Sequence, residues 1–417
     1  MGSSPTPGTV TSEPSAAERG AYAPAVAGAL VFVASACVLV LEILAGRLLA
    51  PYVGVTLQTY TGVIGTVLAG IALGTWWGGK LADRVDPRRI IGPLVVAGGC
   101  SALATVPLVR AVGTPLRGEG GMAIVLLSAV GFFAPAALLS AVTPAVVKAQ
   151  LRTVTQAGSV VGTLSALSTT GAIAGTFLAG FVLVSAASTT SLIVGIGIGL
   201  VVLGLLLWWR GARPGALAVL GVLVLGAGGT ALALTVGRPC DVETAYYCAN
   251  VDVDPERPTG RLLRLDDLRH SYVDLADPTH LEFRYLRAAT AAIDTVHRSD
   301  APIDALHIGG GGFTLPMWLE ATRPGTRSVV LELDPGIVEL AEDELGLVRG
   351  PRLTVHVGDA RVGIYDLDDD AFDLVMGDAF GGRSVPWHLT TTEFVEEVDR
   401  VLRDDGVYVV NVIDNPA

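Results

Sequence analysis

Apolar residues run almost unbroken through the first 237 positions and then give way to short, alternating segments. Stretches near 24–50, 57–79, 90–112, 121–147, 156–187, 188–209 and 215–236 are each long enough, at ~1.5 Å per residue, to cross ~30 Å of hydrocarbon. Backbone groups in a bilayer must pair internally, so this pattern predicts a membrane all-α bundle of about seven transmembrane helices over 23–237. Gly162, Gly171, Gly175 and Gly180 supply small surfaces for close helix packing. Residues 1–22, rich in Ser, Pro, Thr and Gly with no apolar period, predict a disordered tail. A linker is expected over 238–261, and an α/β domain over 262–417.

In that domain β-like runs at 304–309, 328–334, 353–359, 372–378 and 406–413 alternate with helical segments such as 339–345 and 391–402, the signature of a parallel sheet covered by helices. Asp404-Asp405-Gly406 predicts a turn into the last strand. Open sheets of this kind carry their chemistry at the carboxyl ends of the strands. Four features fall there. Gly309, Gly310 and Gly311, followed by Gly312, leave room for a nucleoside at a helix start. Glu332 ends the second strand, where a carboxylate commonly holds ribose hydroxyls. Asp359 with Ala360 follows the third strand and Asp378 follows the fourth; either aspartate serves equally well as a helix N-cap. His388, in the loop after Asp378, reads as a pocket cover or as an ordinary capping histidine.

Charge divides the chain in the same place. Up to Gly237 there are twelve Lys and Arg against six Asp and Glu, and afterwards sixteen against thirty-four. Lys80, Arg84, Arg88, Arg89, Lys148, Arg152, Arg210 and Arg213 follow the even-numbered spans, which predicts those loops on the cytoplasmic side of a cell membrane and the C-terminal domain outside it. Cys240 and Cys248, just beyond the last span, are placed to close a small disulfide loop in an oxidising compartment. Glu42 and Arg47 are polar positions inside the first span. There a carboxylate is costly unless paired, protonated or wetted, so a functional role or a partner on another helix is expected. Gly79 to Arg89 resembles the loop motif of the major facilitator superfamily, although a charged stop between two helices explains the same residues. The acidic surface argues against nucleic acid, and no spacing of Cys and His predicts a metal site.

The order of these motifs resembles the spermidine synthase (polyamine aminopropyltransferase) family from about Leu262 to Ile413. In the first half, Gly46-Arg47-Leu48-Leu49-Ala50-Pro51 and Thr169 to Gly175 are similar to its membrane-fused members. The resemblance implies a methyltransferase-like (Rossmann-like) fold that takes decarboxylated S-adenosylmethionine, or S-adenosylmethionine itself, as cosubstrate. It further implies aminopropyl transfer to a small amine, with Glu332 at the ribose, Asp359 at the adenine, Asp378 as catalytic carboxylate and His270 and Tyr285 at the substrate. Gly312 and Gly381 stand where the family has aspartates, so attraction for a dication is reduced. Two alternatives therefore remain: a catalytically lapsed extracytoplasmic domain that binds a ligand or partner above a transporter-like bundle, and an S-adenosylmethionine-dependent methyltransferase. Such sheets usually continue with further strands. The open edge is thus expected to be covered by residues beyond Ala417, or by a second subunit of a homo-oligomer.

Overall fold

The computed structural model describes residues 22–413 apart from 119, 152, 213, 236, 238, 299 and 383; the expectations for residues 1–21, Arg152 and Arg213 fall outside them. Seven helices, Pro24–Val53, Leu57–Arg84, Pro87–Gly113, Gly121–Gln150, Val154–Ala186, Thr189–Gly211 and Ala216–Thr235, are long and apolar enough to cross a membrane. They pack through small residues, because glycine lets backbones approach closely. A Cβ on Gly171 or Gly175 of the fifth span would lie 2.3 or 2.5 Å from the carbonyl oxygens of Phe32 and Ala36 on the first. Gly162 and Gly180 do not share that role, since a Cβ on either meets nothing within 4 Å.

The two ends of the bundle differ. At one end Lys148 bonds Asp83 at 2.8 Å, and Asp86 caps the third span by accepting from the Arg88 N–H at 3.0 Å, so both aspartates of the charged loop have structural partners. At the other end the spans meet the C-terminal domain. The Arg47 guanidinium donates to the carbonyls of Ala245 and Thr244, and the Thr190 N–H donates to Glu243 Oε1 at 3.0 Å. Arg110, almost fully buried, donates to Ala233 O at 2.7 Å and Thr190 Oγ1 at 3.0 Å. The expectation that Arg47 pairs within the membrane is corrected: its partners are backbone carbonyls of the soluble domain. The long stem of a guanidinium lets it reach from within the helix to those carbonyls. Glu42 has no ion-pair partner among the described residues.

The segment expected as a linker is folded. Strands β1 (Val242–Glu243), β2 (Cys248–Val253), β3 (Gly260–Leu265) and β4 (Leu268–Asp274) form an antiparallel sheet in that order. Its pattern was hidden because both faces are partly covered, so apolar and polar positions do not alternate cleanly. A disulfide joins Cys240 to Cys248, with Cα atoms 5.3 Å apart, at the start of this sheet.

Strands β5 (Asp304–Ile308), β6 (Arg327–Glu332), β7 (Leu353–Val357), β8 (Phe372–Gly377) and β9 (Leu402–Val410) form an all-parallel sheet in the order β7-β6-β5-β8-β9. The chain leaves β5 toward β6 on one side and returns to β8 on the other, making the switch point at which such sheets place their ligands. Asp404-Asp405-Gly406 is not a turn. It lies inside β9, where the pairing steps from Phe372↔Leu402 to Leu374↔Val407 and the surplus residues form a bulge. Helix Thr392–Val401 buries Phe394, Val398 and Val401 against the sheet and is capped by Thr391, whose Oγ1 accepts from the Phe394 N–H at 3.3 Å.

Candidate active site

Register sets the site. Ile308 of β5 pairs with Leu331 of β6 and with Gly377 of β8, so Glu332 and Asp378 emerge at one level on either side of the glycine loop. Gly309 has φ +95°, and a Cβ there would lie 2.7 Å from the Asp378 carbonyl oxygen. Gly311, at φ +51°, would strike the His270 ring at 2.9 Å. Only glycine fits both positions. Phe313 completes the turn in a left-handed conformation, φ +56°, and its ring is fully buried beneath the loop with Ala249, Leu263 and Val273 of the antiparallel sheet.

The loop amides are already engaged, which corrects the expectation that they face a ligand at a helix start. Gly310 and Gly311 donate to Glu332 Oε2 at 2.7 and 3.2 Å, and Gly312 donates to Ser271 Oγ at 3.0 Å. Asp334 N–H donates to Glu332 Oε1 at 2.9 Å. Glu332 therefore shapes the loop as well as lining the cleft, and its Oε1, which accepts only the Asp334 N–H, keeps a lone pair for a hydroxyl donor. Burial pushes its carboxyl above the usual range, against the pull of those amides.

A cleft of ≈ 680 Å³, partly open to solvent, is lined by Gly309, Gly311, Glu332, Asp359, Ala360 and Asp378 together with His270 and His388. The three strand-tip carboxylates thus share one cavity. Asp378 is held by two side chains: Tyr285 Oη donates to Oδ2 at 2.9 Å and Asn411 Nδ2 donates to Oδ1 at 2.9 Å. Burial pushes the Asp378 carboxyl up to about 6, and the Asn411 and Tyr285 donors pull it down. Burial and the adjacent carboxylate keep the Tyr285 hydroxyl protonated. Tyr285 and Gly310 do not line the main cleft; they lie on a second, smaller cavity behind Asp378 with Ser271 and His307. Desolvation drives the half-buried His270 imidazole down to about 4, and it is neutral near pH 7; its Nδ1 lies 3.1 Å from Ser271 Oγ. Asp359 caps the Ala360–Gly363 turn, accepting from the Arg361 N–H at 2.8 Å, and lines the cleft, where His388 Nε2 lies 3.5 Å away.

Two residues of the site were missed. Asn411 stands beside Asp378 because Gly377 pairs with Val410, and the strand-tip rule that found Asp378 would have found it had β9 been ended at Val410. Tyr247, whose hydroxyl donates to Phe380 O at 3.0 Å across the cleft, lay in the supposed linker.

No family model matches the chain. Over 112 residues it is 36% identical to a polyamine aminopropyltransferase of Vibrio vulnificus (strain CMCP6), covering 26% of this chain and 38% of that one. Over 196 residues it is 31% identical to a polyamine aminopropyltransferase of Pyrobaculum calidifontis, covering 44% of this chain and 63% of the relative. Over these segments the chain is similar to spermidine synthases. It spans less than two thirds of the length of either relative. It is also 28% identical over 144 residues to an eEF1A lysine and N-terminal methyltransferase of Danio rerio, covering 32% of this chain and 21% of that protein. Among solved structures, a probable spermidine synthase from Corynebacterium glutamicum ATCC 13032 aligns with 41% of this chain and 62% of its own, at 29% identity and a TM-score of 0.39.

Proposed function

We propose that the protein is a membrane-bound aminopropyltransferase, moving the aminopropyl group of decarboxylated S-adenosylmethionine to a polyamine or related amine. The observation that carries this reading is Asp378, an otherwise buried carboxylate kept titratable near neutrality by Tyr285 and Asn411, in a cleft shared with Glu332 and the glycine loop. The nucleoside fits the cradle that side chains at Gly309 and Gly311 would fill, with Glu332 free to accept from ribose hydroxyls and Asp359 bordering the base. When bound it supplies a carbon made electrophilic by an adjacent sulfonium. Asp378 accepts the proton of the attacking amine as its nitrogen lone pair forms the C–N bond and the C–S electrons pass to sulfur. Gly312 and Gly381 offer no carboxylate to grip a second ammonium, so an acceptor with one reactive amine suits the cleft better than a compact dication.

Methyl transfer from S-adenosylmethionine is the second reading, favoured by the methyltransferase relative. Equilibrium binding of radiolabelled S-adenosylmethionine and of its decarboxylated form to the purified full-length protein separates the two. Preference for the decarboxylated form, with turnover on an amine panel, supports aminopropyl transfer. Preference for the intact form supports methyl transfer, and binding of neither removes both. Binding without turnover of either would leave a ligand-binding domain that has lost its chemistry.

We further propose that the domain is extracytoplasmic in a multi-pass cell-membrane protein, because the cationic loops occupy the end of the bundle away from it and its cysteines are paired. This placement demands that the nucleoside be present on that face. A cysteine introduced in the Asp366–Asp370 loop and challenged with an impermeant reagent on intact cells tests it: labelling is expected, and protection would reverse the topology.

A further inference from the structure

A chain of hydrogen bonds runs from the first membrane span to the glycine loop. From within Pro24–Val53 the Arg47 guanidinium donates to the carbonyls of Ala245 and Thr244, the second at 3.3 Å. The Thr244 hydroxyl donates to Asp334 Oδ2. The Asp334 N–H donates to Glu332 Oε1 at 2.9 Å, and Glu332 Oε2 accepts from the Gly310 and Gly311 amides. A branch leaves at the same threonine. Thr244 Oγ1 accepts from the N–H groups of Tyr246 and Tyr247 at 3.1 and 2.9 Å, and the Tyr247 hydroxyl donates to Phe380 O at 3.0 Å. Glu332 and Tyr247 both line the cleft, so one side chain, that of Thr244, is bonded toward two of its walls. The links are also dry: Thr244 is 6% exposed, Glu332 8%, and Asp334 not at all. Water cannot replace a lost partner there, so a displacement at one link passes to the next.

Packing and charge reinforce the bonds. A Cβ on Gly336, in the first turn of the helix that Asp334 caps, would lie 2.7 Å from Thr244 Cγ2, so the strand and the helix meet without slack. Burial pushes the Asp334 carboxyl above the usual range, and the Thr244 hydroxyl, the Gly336 and Ile337 amides and the Arg47 charge pull it back. We infer that Arg47 and Thr244 are positioning residues for the cleft: by holding Asp334 and the Tyr246–Tyr247 turn, the first membrane span sets the place of Glu332 and thereby the affinity for the nucleoside. The identity of that ligand rests on the function proposed above, whereas the linkage between span and glycine loop stands on the bonds alone. It makes the bundle part of the scaffold of the site. A change in how the first span is seated changes binding, and bound nucleoside in turn favours one seating of the span.

The test uses the full chain in lipid nanodiscs. It reads amide hydrogen exchange over residues 308–315 together with equilibrium binding of radiolabelled decarboxylated S-adenosylmethionine. Arg47→Gln and Thr244→Val are each expected to speed exchange of the glycine loop while leaving helix Thr392–Val401 unchanged. Each is expected to weaken binding by about fivefold or more, within the range of residues that act at a distance. Arg47→Lys and Thr244→Ser return a donor to each place and are expected to recover most of the loss. The double variant Arg47→Gln/Thr244→Val is expected to bind no worse than the poorer single variant, since both act through one chain. A loop that exchanges as in the wild type in both single variants would overturn the inference. So would faster exchange throughout the domain, in Thr392–Val401 as in the loop, or Thr244→Ser behaving as Thr244→Val does, or losses that add in full. The two proposals fail separately: loop exchange that follows Arg47 and Thr244 in a protein that binds no nucleoside would sink the transferase reading alone, whereas nucleoside binding with amine turnover and a loop indifferent to both variants would sink only the linkage.

Discussion

Glu332 and Asp378 occupy matching places at the ends of the two strands that flank β5, the first buried and the second half-buried, yet they are held in opposite ways. Glu332 accepts from three backbone N–H groups, those of Gly310, Gly311 and Asp334. Asp378 accepts from two side chains, Tyr285 and Asn411, that come from a helix and from the end of the last strand. Backbone donors are fixed by the fold, so the Glu332 side of the cleft is a rigid part of the loop. Side-chain donors can yield or be exchanged, which leaves the Asp378 side able to change protonation without disturbing its neighbours. The difference assigns position to one carboxylate and proton transfer to the other.

The contrast breaks most visibly at Asp378. Asp378→Asn keeps the shape and removes the base, and turnover is expected to fall about 10²–10⁴-fold, the usual contribution of a positioned general base. Nucleoside affinity should change less than about threefold in the same variant, because no loop amide depends on Asp378. Comparable losses in binding and turnover would mean that Asp378 is structural. Glu332→Ala should give the reverse. Three buried N–H donors lose their acceptor at about 1 kcal/mol or more each, so nucleoside binding is expected to weaken by at least about a hundredfold and the domain to melt earlier. Calorimetric titration and thermal unfolding of the two variants side by side decide the comparison.

A third, smaller effect sharpens it. Asp378 must be ionised to accept a proton, and its carboxyl sits at about 6, so kcat/KM is expected to fall with decreasing pH below that value. Both side-chain donors favour the ionised form. Removing either one raises the carboxyl further, so Tyr285→Phe and Asn411→Ala should each move the acid limb toward higher pH and cost severalfold in rate at pH 6 while sparing the plateau. A limb that moves the other way, or a uniform loss at every pH, would show that these residues hold substrate and do not tune the base.

Much of this was legible from residue order. The five parallel strands follow from β-like runs separated by helical ones, and the strand-tip rule picks out Glu332, Asp359 and Asp378 because a parallel sheet brings equivalent ends together whatever their sequence separation. Legibility failed where structure depends on contacts across the chain. Strand β2 packs Ala249 and Val251 against Phe313 and the helix after β6, so its burial reflects a partner that no local pattern reveals. Arg47 reads as an intramembrane charge until the chain after the seventh span folds back to offer the Thr244 and Ala245 carbonyls. Asn411 was hidden by a boundary error, because the bulge at Asp404–Gly406 has the composition of a turn and shifted the supposed strand by several residues.

The smallest effect is expected at the rim, where neither kind of holding applies. His388 Nε2 lies 3.5 Å from Asp359 Oδ1, but the two side chains are 34% and 45% exposed, so water screens their attraction and the pair is ionic only when His388 is protonated. His388→Ala should therefore weaken nucleoside binding by less than about fivefold, in line with the ~1 kcal/mol ceiling of exposed pairs. Asp359→Ala should cost more, since the same oxygen caps the Ala360–Gly363 turn. If His388 acts only through Asp359, His388→Ala has no further effect once Asp359 is gone, and the coupling fades as salt rises. A loss on His388→Ala that persists in the Asp359→Ala background, at high salt as at low, would place the imidazole directly against the ligand as the cover of the cleft.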